Sequence, residues 1–313
     1  MKKFVLLSCA SIFLTLVSFA QDPILLNNNQ SLVYFNPSFA GSNGGIRNQF
    51  SYRNQWPEYH TNYVTYVNSF DAYIRPIKAG LAFTYVNDNV WHGDLITSLY
   101  NLSYAQHLNF FNDKLKIIPS VQFSYGQKVL NMNSIHFGDM LDARTSQWWD
   151  TKEAIPSSTK SYFDMSTGLL VNFKSNWYLG ACMFHINQPD VGLEGAHTLP
   201  ARFLLHASYT WHFSEKSQLQ FFYRYARQDN YGTNQLSLNM VTFKYLLVGV
   251  SYFDADALQI NLGARTNNFS LQVGYDYTYS KLAGNTVGSW EVHGAYYLRN
   301  KENRKLLTNF ETW

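Results

Sequence analysis

The sequence predicts an all-β protein: a closed, antiparallel transmembrane β-barrel of about 14 strands. Three observations carry that prediction. First, 17% of the 313 residues are aromatic and only 14% are charged, against roughly 25% charged in soluble globular chains. Mean hydropathy is nonetheless slightly negative, at −0.25, which argues against a bundle of membrane helices. Second, from Ile46 onward the chain divides into segments in which apolar and polar residues alternate, the period that sends successive side chains to opposite faces of a strand. Third, the connections segregate by length. Those at 174–176, 214–217, 243–245 and 265–268 are tight, whereas those alternating with them, at 87–94, 127–160, 186–199, 227–233 and 281–287, are longer. Membrane barrels have short turns at one mouth and long loops at the other; a soluble sandwich has no reason to sort its loops this way.

Residues 1–20 read as a signal peptide. Lys2 and Lys3 form its charged start, Phe4 to Val17 its apolar stretch, and Ser18-Phe19-Ala20 a small-x-small cleavage site. Cleavage after Ala20 leaves Gln21 first and takes the 24 basic residues to 22, against 21 acidic. That near-neutral balance gives no reason to expect a nucleic-acid partner. Cys9 lies too close to Lys3 to end a lipoprotein signal. Cys182 is then alone and makes no internal disulfide. No later segment reaches the roughly 18 apolar residues of a spanning helix.

Residues 21–45 form an Asn-rich lead-in with Pro23 and Pro37 and no sustained period. Within it, Asn36 to Gly41 reads either as an ordered turn plugging the periplasmic mouth or as a plain linker, since Pro37 pre-sets φ and Gly41 allows a reversal. The barrel proper is 46–298. Its first strand puts Ile46, Asn48, Phe50, Tyr52, Asn54 and Trp56 outward to lipid, and Arg47, Gln49, Ser51, Arg53 and Gln55 into the lumen. Segments 115–126, 202–213 and 269–280 alternate as cleanly, while 62–73 and 177–185 do so poorly and are placed mainly by position. Some inward faces are not wholly polar, which fits a partly filled lumen. Trp56, Trp91, Trp177, Tyr178 and Trp290, near strand ends, suit an interfacial girdle. With the N-terminus of the mature chain on the periplasmic side, the tight turns lie in the periplasm and the long loops outside.

Closure sets the last strand beside the first. Asp276 and Glu291 both point inward by alternation, so a buried network is expected to join Arg47 or Arg53 to one of them. The other reading of Arg53 is a lumen cation that holds the lead-in or meets a partner. The loop 127–160 carries His136, Asp139, Asp142, Asp150, Glu153 and the pair Trp148-Trp149. Exposed aromatics on a long loop favour partner contact; a lid over the mouth is the alternative. Neither Asp139 with Asp142 nor Asp254 with Asp256 sits in a full calcium-ligand loop. His206 and His212, roughly 20 Å apart along one strand, are expected as lumen polar groups. No zinc spacing, phosphate-cradling glycine loop or G-x-S-x-G elbow is present, so no cofactor and no catalytic residue is expected. The tail 299–313, with Arg299, Lys301, Arg304 and Lys305 before Phe310 and Trp313, falls in the periplasm.

Two stretches carry a family resemblance. Asn36-Pro37-Ser38-Phe39-Ala40-Gly41, followed by Tyr52-Arg53-Asn54-Gln55-Trp56-Pro57, resembles the N-terminal signature of the PorP/SprF family. Gly274-Tyr275-Asp276-Tyr277-Thr278-Tyr279-Ser280, then Gly288-Ser289-Trp290-Glu291, is similar to that family's last two strands. The resemblance implies a non-enzymatic outer-membrane component of the Bacteroidetes type IX secretion and gliding-motility machinery. It implies as partners a secreted, adhesin-like protein with a C-terminal sorting domain, and periplasmic and outer-membrane parts of the machine. A porin or substrate-specific channel is the competing reading.

Overall fold

Strands that are apolar on one face and polar on the other leave two problems in a membrane, the polar face and the open sheet edge. A closed barrel solves both. The computed structural model describes residues 22–27, 31–58, 62–131, 140–142, 147–148, 158–193, 195–254, 256–280, 283, 286 and 288–298. Its wall runs β1 Ile46–Gln55, β2 Tyr63–Ile74, β3 Ala79–Val90, β4 Leu95–Gln106, β5 Leu115–Leu130, β6 Thr159–Phe173 and β7 Trp177–Phe184. It continues with β8 Arg202–Ser214, β9 Ser217–Gln228, β10 Tyr231–Thr242, β11 Leu246–Phe253, β12 Ala257–Arg265, β13 Phe269–Thr278 and β14 Ser289–Leu298. Each strand pairs antiparallel with the next, and β14 pairs with β1 from Ile46↔Leu298 to Gln55↔Ser289. The barrel of about 14 strands read from the sequence is the fold observed. A short extra strand, Leu108–Phe110, continues β4 along β5 in the same register. Pro119, which has no N–H to give, lies opposite the break.

The wall is inside out relative to a soluble sheet. Arg47 and Gln49 of β1 are each 2% exposed, while Ile46 and Phe50 are 39% and 41% exposed. The same alternation repeats around the barrel, so aromatic and aliphatic side chains meet lipid and polar ones face inward.

The lumen is not empty. Residues 22–27 and 31–45 fill it, with a single helical turn α1 at Leu32–Phe35 and a 3-10 turn at Pro37–Phe39. Leu32, Val33, Phe35, Phe39 and Ala40 pack on inward-facing Ala82, Ala105, Ile118, Leu170, Leu204 and Phe222. Those wall residues are the apolar breaks in the otherwise polar inner face. Each fully buried Phe or Leu contributes roughly 1.5–3 kcal/mol to holding the segment in place.

Several expectations change. Tyr178, read as a girdle residue, is buried and belongs to the core cluster around the lumen segment. The connections 87–94 and 227–233 are short, because β3 runs to Val90 before β4 starts at Leu95, and only 229–230 separates β9 from β10. Here the ladders continue past the lipid-facing band with polar residues on both faces, as where Asn87 donates to Ser98 at 3.0 Å, so alternation stops before the strand does. The long connections of that mouth are 56–62, 131–158, 185–201 and 279–288. His212 is exposed at the tight-turn end of β8 and lies outside the lumen. Finally, the first described residue, Asp22, is not at the tight-turn mouth. It contacts His185, Arg202 and Gln228, all at the long-loop end, and the chain descends through the lumen to enter β1 at the tight-turn end.

Candidate functional site

The site is the lumen with its N-terminal occupant, held at three levels. At the seam, β1 and β14 oppose Arg53 to Glu291 directly. Arg53 Nη1 donates to Asp276 Oδ2 at 2.7 Å and also to Glu291. The three side chains are between 0 and 6% exposed. Glu291 is the hub. It accepts from the backbone N–H of Leu26 at 2.8 Å and of Asn27 at 3.1 Å, and from Gln259 Nε2 at 3.1 Å. His293 Nε2 lies 3.1 Å from it, while His293 Nδ1 is 2.8 Å from Ser51 Oγ, which in turn meets Ser31. Gln235 donates to the Leu26 carbonyl at 2.6 Å. Gly274 faces Glu291 across the β13–β14 ladder; a Cβ there would come within 2.4 Å of Asn261 Oδ1, so a side chain would intrude on the network. One carboxylate therefore neutralises the seam arginine and grips the lumen segment by two main-chain amides, charge-assisted bonds worth roughly 1.5–3 kcal/mol each.

At the tight-turn mouth Arg47 takes a different partner from the two anticipated. Its Nε donates to Asp71 Oδ1 at 2.8 Å and its Nη2 to Asp71 Oδ2 at 3.1 Å. Nη2 also donates to the Phe39 carbonyl at 3.1 Å, and Gly41 N–H to Asp71 Oδ2 at 2.8 Å. Asn36 caps the 3-10 turn by accepting from Ser38 N–H at 2.9 Å and meets His206 at 3.1 Å, with Pro37 in the first turn. His107 Nε2 lies 2.9 Å from the Ala40 carbonyl. Gly41 has φ +70° and packs so tightly on Gly80 that a Cβ on Gly80 would fall 2.0 Å from the Ala40 oxygen. Only backbone fits between the turn and β3.

At the long-loop mouth Asp22 lies 2.7 Å from His185 Nε2 and 3.2 Å from Arg202 Nη1, and His185 Nδ1 is 2.8 Å from Asp164. Burial alone would lower the His185 pKa, but Asp22 and Asp164 push it up to about 9. Burial alone would raise the Asp22 carboxyl; His185 and Arg202 hold it well below the usual range instead. Tyr34 donates to the Pro23 carbonyl at 2.6 Å. A cleft of about 530 Å³, including the part open to solvent, is lined here by Asp22, Leu25, Tyr34, Arg202, Arg224 and Arg227. Among the described residues, no group of three or more His, Cys, Asp or Glu side chains could hold a metal ion.

The remaining residues singled out from the sequence lie elsewhere. Tyr52 faces outward beside Tyr66, ring centroids 5.1 Å apart. Gln55 ends β1, preceded by Asn54. Trp56, at φ 55°, sets its ring 5.9 Å from Tyr63, ahead of Pro57. Tyr275 packs on Trp290 at 4.7 Å. In the long loop, Leu141–Asp142 pairs with Gln147–Trp148 as a two-stranded ribbon apart from the barrel. Asp139 and Trp149 fall outside the described residues, as do His136, Asp150, Glu153, residues 1–20 and the tail 299–313. Asp254 accepts from Asn234 at 3.0 Å. Sequence reasoning missed Asp71, Asp22, Asp164, His185 and His107. Asp71 sits on β2, where inward Val67 and outward Asn68 blur the alternation. His185 and His107 meet Asp22 and the Ala40 carbonyl of the lumen segment, and Asp164 pairs with His185 across the wall.

The family model described as type IX secretion system membrane protein PorP/SprF matches residues 17–296. No curated protein matches the chain. Among solved structures, the chain is similar to the outer membrane protein Omp33 of Acinetobacter baumannii. Identity is 8% and TM-score 0.45, covering 81% of this chain and 96% of that one. It is also similar to a TodX ΔS2S3 mutant monoaromatic hydrocarbon channel, at 10% identity and TM-score 0.48, covering 89% and 94%.

Proposed function

Because the chain belongs to the PorP/SprF family of type IX secretion system membrane proteins, we propose that it supports export or surface anchoring of a secreted, adhesin-like protein. It engages that client through the client's C-terminal sorting domain. The protein sits in the outer membrane after signal-peptide cleavage at Ala20, tight turns in the periplasm, and acts as a binding component without a catalytic step. The observation that supports this over a porin is the filled lumen: residues 22–27 and 31–45 are packed and hydrogen-bonded inside the barrel at all three levels. A barrel plugged by its own chain serves contact better than free diffusion. The loop 131–158, with Trp148, Trp149, Asp139 and Asp142, is the candidate client surface.

The test is affinity capture of the full-length protein from outer membranes. A large secreted protein carrying a C-terminal sorting domain should co-purify; recovery of porins and lipid alone would overturn the proposal. Planar-bilayer conductance addresses the alternative. The intact protein should carry little current and a variant lacking residues 22–45 much more, whereas a porin would conduct in both forms.

A further inference from the structure

Among the described residues, the connections at the two mouths of the barrel carry opposite charge. In or beside each tight turn stands a cation: Lys78, Lys114, Lys174, Lys216, Lys244 and Arg265. The five lysines are exposed, and Arg265 is half-buried with its Nε donating to the Lys244 carbonyl at 3.0 Å. Arg75 adds a further cation, and Asp113 and Glu215 are the acidic residues of these turns. The opposite mouth carries Glu58, Asp94, Asp190, Asp229, Asp254 and Asp256 in its described connections. Its cations stand on strand ends, where Lys160 pairs with Asp190 at 2.6 Å, Arg202 pairs with Asp22 at 3.2 Å, and Lys128, Arg224 and Arg227 are also found.

Large aromatics stand with the cations on the same rim. Phe111 and Phe243 are 76% and 72% exposed, and Trp177, Trp211 and Tyr245 lie on the same level. Lys174 Nζ is 5.2 Å from the Phe173 ring centroid. Aromatic rings at headgroup depth with lysine ammoniums reaching past them make an interfacial anchor. The cations occur at every hairpin around the circumference, so their partner has to surround the barrel. A protein docks on one side; a lipid leaflet surrounds.

We propose that the tight-turn rim is a binding belt for anionic phospholipid headgroups of the adjoining leaflet. Each lysine meets the phosphate or glycerol-phosphate of one boundary lipid while its aromatic neighbour lies at the acyl boundary. The acidic opposite mouth disfavours the same lipids, so the charge pair also fixes which mouth faces which leaflet.

The experiment reconstitutes the full-length protein in phosphatidylcholine bilayers and compares boundary association of spin-labelled phosphatidylglycerol with spin-labelled phosphatidylcholine. A rim cation worth about 1 kcal/mol per lipid predicts roughly a 5-fold preference for phosphatidylglycerol at low salt. That preference should shrink in about 0.5 M NaCl. It should lose roughly half of its excess over unity in K78Q/K174Q/K244Q, in which Lys114, Lys216 and Arg265 remain, and persist in the opposite-mouth control E58Q/D94N/D229N. All six positions lie in turns and loops, and gel mobility with and without heating verifies that both variants remain folded. Equal association of the two lipids with the wild type, or an unchanged preference in the triple lysine variant, would overturn the proposal. Absence of lipid preference, with loss of a co-purifying acidic protein in the lysine variant, would overturn it in favour of a protein partner.

Discussion

Replacing Arg53 by Met removes the one cation that touches both Asp276 and Glu291. The two carboxylates are at most 1% exposed, so neither regains water when the guanidinium goes. Breaking a buried pair from one side costs about 3–5 kcal/mol. Glu291 keeps its bonds to the Leu26 and Asn27 amides, so the loss should appear in barrel stability before it appears in the seating of the lumen segment. The measurement is urea unfolding in phospholipid vesicles, followed by tryptophan fluorescence and by the gel mobility of the folded barrel. R53M/E291Q should be about 1–3 kcal/mol more stable than the sum of its single variants, because the second change relieves the charge stranded by the first. A cost under about 1 kcal/mol for R53M, together with additive singles, would refute the buried network.

Phe35→Ala empties a site packed between His206 and Phe222, at ring distances of 4.8 and 5.8 Å. It should lower stability by about 3–5 kcal/mol and raise single-barrel conductance in planar bilayers. Gly80→Ala drives a methyl to within 2.0 Å of the Ala40 carbonyl oxygen; overpacking of this kind costs about 1–3 kcal/mol, read as a fall in thermal midpoint. The latch at the long-loop mouth should loosen in alkali. With the His185 pKa at about 9, above its ordinary 6.5, its contribution is full below pH 6.5 and is lost as pH rises through about 9. Asp22, held low, acts in the opposite sense, and its contribution disappears only in acid. A nitroxide on Ile24→Cys should therefore gain mobility between pH 6.5 and 9.5 by electron paramagnetic resonance, and His185→Gln should abolish the step.

Much of the wall could be read from alternation because a membrane barrel imposes one rule on every strand. In β1 and β13 each inward residue is small, polar or charged, and each outward one is apolar apart from Asn48 and Asn54; β5 keeps the rule over 115–126 except at Ile118. The pattern also brought Arg53, Asp276 and Glu291 to one face before their distances were known. It failed where a second set of contacts acted on the inner face. Val67, Ile118, Leu170 and Leu204 point inward because they touch, or lie beside, the lumen segment. A strand-by-strand reading has no way to supply that partner. Turn chemistry was hidden as well. Lys174, Ser175, Phe243 and Lys244 adopt positive φ in hairpins whose twist demands it, with no glycine to mark them. Asp71 became the Arg47 partner through a register that only the paired β1 and β2 reveal, Arg47↔Asp71.

The direction of the lumen segment constrains the order in which the molecule can be assembled. The segment precedes β1 in the chain, yet its Leu26 and Asn27 amides are held by Glu291 on β14, the final strand of the wall. Nothing can grip those amides until the last strand arrives, so the seating of the segment waits on closure of the seam, with Arg53 on one lip and Glu291 on the other. A wall closed without its first residues inside would lack both amide donors and leave the Glu291 carboxylate to Arg53, Gln259 and His293.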